Sequence, residues 1–355
     1  MATRIAVLGA GFWAQFQIPA WREVPGTEVV ALYNRTRGKA EALAARFGIP
    51  HVYDDAETLL REVRPDVVDV ITDVDTHARF VQLAAEHRIP VICQKPMAPD
   101  LETAREMVAA CERAAVPFAV HENWRWQRPL RELKAVLDSG IIGTPFRAHV
   151  QYSSSFPVFE NQPFLRNLEQ FILTDMGTHI LDVVRFLFGE PASVAAQTYR
   201  VHPDIKGEDV ATLLLRIPQP DAPADHVAGP SGASPDLACT AHLSYASRLE
   251  RERFPEVFIL VEGHDGSVEL APDFWLRTTT ESGTHSRRVP PPSYAWADPR
   301  YDLVHSSIVA SHADCLEQMR GGREAETSGR DNLKTLEMVF AAYDAARSGQ
   351  TVTLR

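Results

Sequence analysis

The feature that most constrains this chain is an alternation. Over roughly its first 120 residues, short apolar runs suited to buried strands alternate with segments of helical period. RIAVL at 4–8, EVVALYN at 28–34, DVVDVIT at 66–72, PVICQK at 90–95 and VPFAVHEN at 116–123 read as strands. Between them lie a helix running to about Glu23, the helix RGKAEALAARFG at 37–48 closed by Gly48, a helix capped by Asp75 and running to about His87, and the amphipathic LETAREMVAACERAA. Continuously apolar strands joined by helices specify βαβ units and a parallel sheet.

The character then changes. Residues 129–139 read as helical, and LEQFILTDMGTHILDVVRFLFG at 168–189 reads as a long, mostly apolar helix. SVAAQTYRV, DVATLLLRI, LACTAHLSYA, EVFILVEG and SVELA follow as strands joined by turns, which predicts an antiparallel sheet. The segment 219–236, rich in Pro, Gly, Ala and Asp, is expected to be a mobile loop, and a second proline-rich loop lies near 290–293. Helices at about 303–320 and 331–348 finish the chain, and no internal repeat is present. A length of 355 residues exceeds one simple core, so two domains are expected.

The formal net charge of -11 disfavours nucleic acid and anionic membranes as main partners, since both attract clustered Lys and Arg. Cys93, Cys111, Cys239 and Cys315 form no CxxC pair and have no second ligand at zinc spacing, so reduced thiols and no metal are expected. The N-terminal MATRIAVLGAGFW enters a strand without an apolar run of signal-peptide length, and no segment reaches the ~20 apolar residues of a membrane span. A cytoplasmic location follows as the expectation.

Gly9, Gly11 and Ala14 make GxGxxA between the first strand and its helix. One glycine allows the tight turn, the next admits a pyrophosphate to the backbone, and the small third residue lets helix and strand pack closely. Phosphates would then meet the N–H groups of the helix start. In this setting the motif predicts a dinucleotide, with Phe12 and Trp13 beside it. The second strand ends in Asn34 rather than an acidic residue, and Arg35 follows. Asn34 can bond a ribose hydroxyl. Arg35 can pair with a 2′-phosphate or be a solvated loop charge, with equal weight, so the cofactor is NAD or NADP, the choice open.

Lys95 stands at the carboxyl end of a parallel strand, the edge at which open α/β sheets bind ligands, and Pro96 fixes the backbone beyond it. A lysine there can hydrogen-bond a substrate hydroxyl and assist its deprotonation. Asp175 and His179, four apart in LTDMGTHILD, share one helix face, with Asp182 close by. An Asp and a His on a buried face need partners, and His suits general acid–base work near neutral pH. In HENWRWQ, also at a strand end, His121, Asn123 and Arg125 are candidate substrate contacts, with Trp124 and Trp126 as walls or as core residues. Arg166 is a candidate partner for a substrate carboxylate.

Taken together these residues resemble the Gfo/Idh/MocA oxidoreductase family, which includes glucose–fructose oxidoreductase and inositol dehydrogenase. The resemblance spans nearly the whole chain through GAGFWA, TDVDTH at 72–77, QKP at 94–96, DMGTH at 175–179 and the closing DNLKTLEMVFAAYDAARSGQTV. It implies an N-terminal Rossmann dinucleotide-binding domain, placed at 1–122, and a C-terminal α+β domain with a large open antiparallel sheet, placed at 123–355, whose last helix packs back on the first. It implies further that Lys95 is the catalytic lysine of a Glu-Lys-Pro motif, His179 the general acid/base and Asp175 its partner, and that Thr72 and His77 lie in the loop following the nicotinamide half of the cofactor. Two departures stand out. Gln94 replaces the usual glutamate, and TDVDTH lacks the common proline.

The activity expected is NAD(P)-dependent oxidation of a hydroxyl of a sugar, polyol or sugar acid, with a sugar acid favoured. Two alternatives remain: a redox-neutral sugar isomerase or glycosidase with tightly bound NAD, and a non-catalytic dinucleotide-sensing regulator. An open sheet with an apolar outer face needs cover, so a homo-oligomer, dimer or tetramer, is expected.

Overall fold

A computed structural model of the chain describes residues 2–219 and 236–354, so most of the segment expected as a mobile loop lies outside the described residues. The chain forms two compact units, Met1–Trp126 with Ser293–Leu336, and Gln127–Pro292 with Glu337–Arg355.

The first unit alternates β1 (Thr3–Leu8), α1 (Ala14–Glu23), β2 (Thr27–Tyr33), α2 (Arg37–Phe47), β3 (His51–Tyr53), α3 (Ala56–Val63), β4 (Val67–Val70), α4 (His77–Glu86), β5 (Val91–Gln94), α5 (Leu101–Ala114) and β6 (Phe118–His121). The strands form a sheet of order β3-β2-β1-β4-β5-β6, parallel at every pairing. This is the doubly wound order, with its switch point between β1 and β4. A parallel sheet needs both faces covered. On one face Ile5, Val7, Ile71, Ile92 and Ala119 pack with Ile18 and Trp21 of α1, Ala44 and Phe47 of α2, and Ile308, Cys315 and Leu316 of a returning helix, Asp302–Met319. That helix is the reason the first unit includes residues beyond 292: without it the β6 end of this face would be bare.

The expected Asp75 cap is not formed. A 3₁₀ turn, Val74–Thr76, precedes α4, and the Thr76 hydroxyl bonds Thr72 Oγ1 at 2.8 Å and Asp73 O at 2.8 Å. Helix α3, not named in the sequence reading although Ala56, Leu59, Leu60 and Val63 fall at helical spacing, is capped by Asp55, which accepts Thr58 N at 2.8 Å.

The second unit contains α6 (Arg128–Asp138), β7 (Pro145–Ser153), α7 (Val158–Asn161), α8 (Thr178–Phe188), β8 (Ser193–Tyr199), β9 (Val210–Ile217), β10 (Leu237–Ser244), β11 (Phe258–Gly263), β12 (Gly266–Ala271), β13 (Trp275–Thr280), β14 (Gly283–Arg288) and β15 (Val352–Thr353). Its sheet has the order β14-β13-β12-β11-β7-β10-β9-β8-β15. All pairings are antiparallel except β7 with β10, so the sheet is mixed, mostly antiparallel. Along β9, Ala211, Leu213, Leu215 and Ile217 are buried while Leu214 is 52% exposed, so one face is core and the other is open. The central strand β7 escaped the sequence reading because its open face carries Arg147, His149 and Gln151, which mask the buried Ala148, Val150 and Tyr152.

The first unit buries an unusual polar cluster. Asp69 of β4 is fully buried and accepts Trp21 Nε1 at 2.8 Å. His312 of the returning helix stacks on Trp21 with ring centroids 3.9 Å apart and lies 3.8 Å from Asp69. Burial pushes the Asp69 carboxyl up to about 7, so it keeps its proton below that pH, and burial lowers the His312 imidazole, which favours its neutral form. A raised carboxyl contributes stability that is present below its unfolded value and lost as pH rises to its folded one. Between about pH 4 and pH 7 this amounts to a loss on the order of 4 kcal/mol at most. Asp69→Asn keeps an acceptor for Trp21. Its denaturation midpoint in urea is expected to gain on wild type from about pH 4.5 to 7 and then run parallel to it.

Candidate active-site residues

The carboxyl ends of β1, β2, β4, β5 and β6 carry the first-unit candidates. Gly9 follows β1 with φ +121°, and a Cβ there would lie 2.5 Å from the carbonyl oxygen of Ile71 at the end of β4. Any other residue would push the two central strands apart. Gly11 has open space around it, and Phe12 beside it is 51% exposed with its ring edge-on to Trp13 and Phe16. A bare glycine backbone held between a strand end and α1 fits a pyrophosphate. Asn34 fixes this loop: its Oδ1 accepts Ala10 N at 3.1 Å and its Nδ2 donates to Thr36 O at 3.0 Å. Arg35 is exposed and makes no ion pair among the described residues, while Arg37 pairs with Glu41 at 2.9 Å.

Lys95 is half-buried one residue past β5. Gln94 accepts Lys95 N through its own Oε1 at 2.8 Å, a bond that needs no charge at position 94. His77 is buried, with Nδ1 3.1 Å from Pro96 O and 3.3 Å from Met97 O, and Nε2 3.0 Å from Thr72 O. Burial lowers its pKa against the opposing pull of those carbonyls. His77 therefore sits between the segment after β4 and the segment after Lys95, with a ring nitrogen facing backbone carbonyls of each.

The β6 end differs from the expectation in emphasis. Asn123 donates to Ser307 Oγ at 2.8 Å, and Arg125 donates to Glu326 O at 2.8 Å and pairs with Asp331 at 3.1 Å. Both are buried and anchor the returning segment. The His121 ring meets His312 edge-on at 4.9 Å. Glu122, passed over in the sequence, is fully buried, and burial pushes its carboxyl up to about 7 against the pull of Lys95 and Arg125.

In the second unit the long predicted helix is shorter. It opens with a wide π turn, Leu173–Gly177, running directly into α8. Glu208 explains where it starts. Its carboxylate accepts Phe171 N at 3.2 Å and Leu173 N at 3.4 Å, and Tyr343 donates to it at 2.6 Å. A carboxylate there satisfies N–H groups that a helix start leaves open. His179 is buried on the first turn of α8, and Asp175, in the π turn, is half-buried. Tyr245, just past β10, donates its hydroxyl to Asp175 Oδ2 at 3.1 Å. Burial and the Asp175 charge hold that phenol well above its usual range, so it stays a donor. The sequence offered no signal for this pair, which is 70 residues apart. Arg166 lies in a separate 3₁₀ turn, ion-paired with Asp204 and over the Phe159 ring. No cluster of metal-ligating side chains occurs among the described residues.

A glycine loop at the end of β1 and a lysine at the end of β5, on one edge of a Rossmann sheet, fit an NAD-binding oxidoreductase. Residues 3–122 match the oxidoreductase family's NAD-binding Rossmann fold, and residues 130–266 match the Gfo/Idh/MocA C-terminal domain. The chain belongs to the Gfo/Idh/MocA oxidoreductase family. It is 42% identical to a D-apiose dehydrogenase of Paraburkholderia graminis over 99% of this chain and 89% of that one. It is 39% identical to a D-apiose dehydrogenase of Rhizobium rhizogenes over 98% of this chain and 96% of that one. Among solved structures, an oxidoreductase from Agrobacterium radiobacter in complex with NAD+, L-tartaric acid and magnesium superposes with a TM-score of 0.91 at 39% identity, covering 99% of this chain and 98% of that one.

Two outcomes are expected. Gly9→Ala should lower the urea denaturation midpoint and, with it, weaken NAD binding in a fluorescence titration, since its Cβ would meet the Ile71 carbonyl oxygen. Tyr245→Phe should lower kcat roughly ten- to a hundredfold with NAD affinity unchanged, since one hydrogen bond to a charged group is worth about 1.5–3 kcal/mol.

Proposed function

We propose that the protein is an NAD-dependent dehydrogenase that oxidises a hydroxyl of an aldose, and that D-apiose is its substrate. The observation that carries this reading is the near full-length match, at 42% and 39% identity, to two D-apiose dehydrogenases. Bound at the glycine loop, NAD supplies the hydride acceptor. Lys95 donates a hydrogen bond to the substrate hydroxyl and stabilises the charge that develops on its oxygen. His179 takes the hydroxyl proton as general base, and Asp175, fixed by Tyr245, is its supporting carboxylate. The C–H hydride, the O–H proton and the new C=O bond then balance. NAD is preferred to NADP because residues 3–122 match an NAD-binding Rossmann fold and the Agrobacterium radiobacter oxidoreductase is in complex with NAD+.

A hydroxy acid is the second reading, favoured by the tartaric acid bound to the Agrobacterium radiobacter oxidoreductase. The engagement of Arg125 with Asp331 and of Arg166 with Asp204 weighs against it, since each guanidinium already has a carboxylate. The four cysteines are free and buried, which suits the reducing cytosol. No helix among the described residues is long and apolar enough to cross a membrane. The open face of the nine-stranded sheet, with Leu214 exposed and Phe258 and Leu260 half-exposed, is where we place a homo-oligomer contact.

Absorbance of reduced nicotinamide at saturating NAD tests the reading. D-Apiose should give turnover that wild type shows and Lys95→Met loses by at least a thousandfold, with NAD binding intact. Turnover of L-tartrate but not of D-apiose would transfer the assignment to a hydroxy acid. Full activity in Lys95→Met would remove the lysine from the mechanism.

A further inference from the structure

Strands β5 and β6 run parallel with Gln94 opposite His121. Lys95 and Glu122 each follow this last pair, Lys95 just past the end of β5 and Glu122 just past the end of β6, where Glu122 N turns back to Val120 O at 2.8 Å. Adjacent strands lie about 4.8 Å apart, so long side chains at neighbouring strand ends come within reach of each other. Glu122 is fully buried, and a buried carboxyl is costly without a compensating charge or hydrogen bond. The groups acting on it are the Lys95 ammonium from the β5 end, the Arg125 guanidinium and the Trp124 backbone N–H. Arg125 already serves Glu326 O and Asp331. Gln94, the neighbour of Lys95 on its own strand, is neutral and spends its oxygen on the Lys95 backbone.

We propose that Glu122 is a positioning residue for Lys95: from the neighbouring strand its buried carboxyl steers the ammonium and fixes where the lysine presents its N–H. This rests on the reading of Lys95 as the residue that bonds the substrate hydroxyl. Burial holds the Glu122 carboxyl up to about 7, so the attraction strengthens as pH rises through neutrality. Other titratable groups on the same packed elements are His121 beside it on β6, His312 of the returning helix against His121, and Asp331 on Arg125.

The test compares wild type, Glu122→Gln, Glu122→Asp and Lys95→Met, each checked for folding by circular dichroism and for NAD binding by fluorescence. In Glu122→Gln, kcat for D-apiose should fall ten- to a hundredfold with the KM for NAD unchanged, and the rise of kcat through about pH 7 should disappear. Glu122→Asp keeps the charge on a shorter arm and should recover part of the lost rate and the pH limb. A wild-type kcat and pH profile in Glu122→Gln, alongside an inactive Lys95→Met, overturns the proposal while leaving the lysine's role intact. An active Lys95→Met instead removes the reading on which it rests. Reductive methylation followed by mass spectrometry reads Lys95 without any turnover. Its modification should be severalfold faster in Glu122→Gln, and an unchanged rate overturns the proposal whatever the substrate proves to be.

Discussion

The close approach of Gly9 to the Ile71 carbonyl is the constraint on which the first unit depends. It lets β1 and β4, the strands at the switch point, end side by side with nothing between their backbones. The strand order then does the rest. Once β4, β5 and β6 follow in parallel register, Thr72, Lys95 and Glu122 emerge at one edge of the sheet. None of these residues is brought there by its own preference. Each is delivered by a hydrogen-bonded ladder whose strands are too apolar to sit elsewhere.

What was legible in the sequence was local. The alternation of strand and helix, the glycine loop and the strand-end lysine all depend on residues within a few positions of one another. The resemblance through GAGFWA, QKP and DMGTH extended that reading to the family, and the match of both domains bears it out. What was hidden depends on distant partners. Arg125 reads as a candidate substrate contact in HENWRWQ, and in the structure it pairs with the Asp331 carboxylate. Asn123 reads as a ligand contact, yet its partner is Ser307. Glu122 carries no motif, and only the pairing of β5 with β6 sets it against Lys95.

The second unit repeats the lesson at the start of its buried helix. Helical period alone extends the helix back to residue 168. The chain begins it later because Glu208 supplies the acceptor that the open N–H groups of a buried helix start require, and Tyr343 holds Glu208 in place by donating its hydroxyl to it. Gly207 belongs to the same arrangement, since a Cβ there would lie 2.7 Å from Leu168 O. The wide turn that carries Asp175 is thus fixed from both ends, by Glu208 before it and Tyr245 across from it. Wide turns of this kind recur at functional sites in helices.

His77 has a consequence of its own. Its two ring nitrogens face carbonyl oxygens on opposite sides, Thr72 on one and Pro96 and Met97 on the other. A neutral imidazole has one proton to give, and burial keeps it neutral. The ring can fasten the segment after β4 or the segment after Lys95, but not both in the same instant. The tautomer of one buried ring thus decides which backbone receives its proton, the one beside the cofactor loop or the one that carries the lysine.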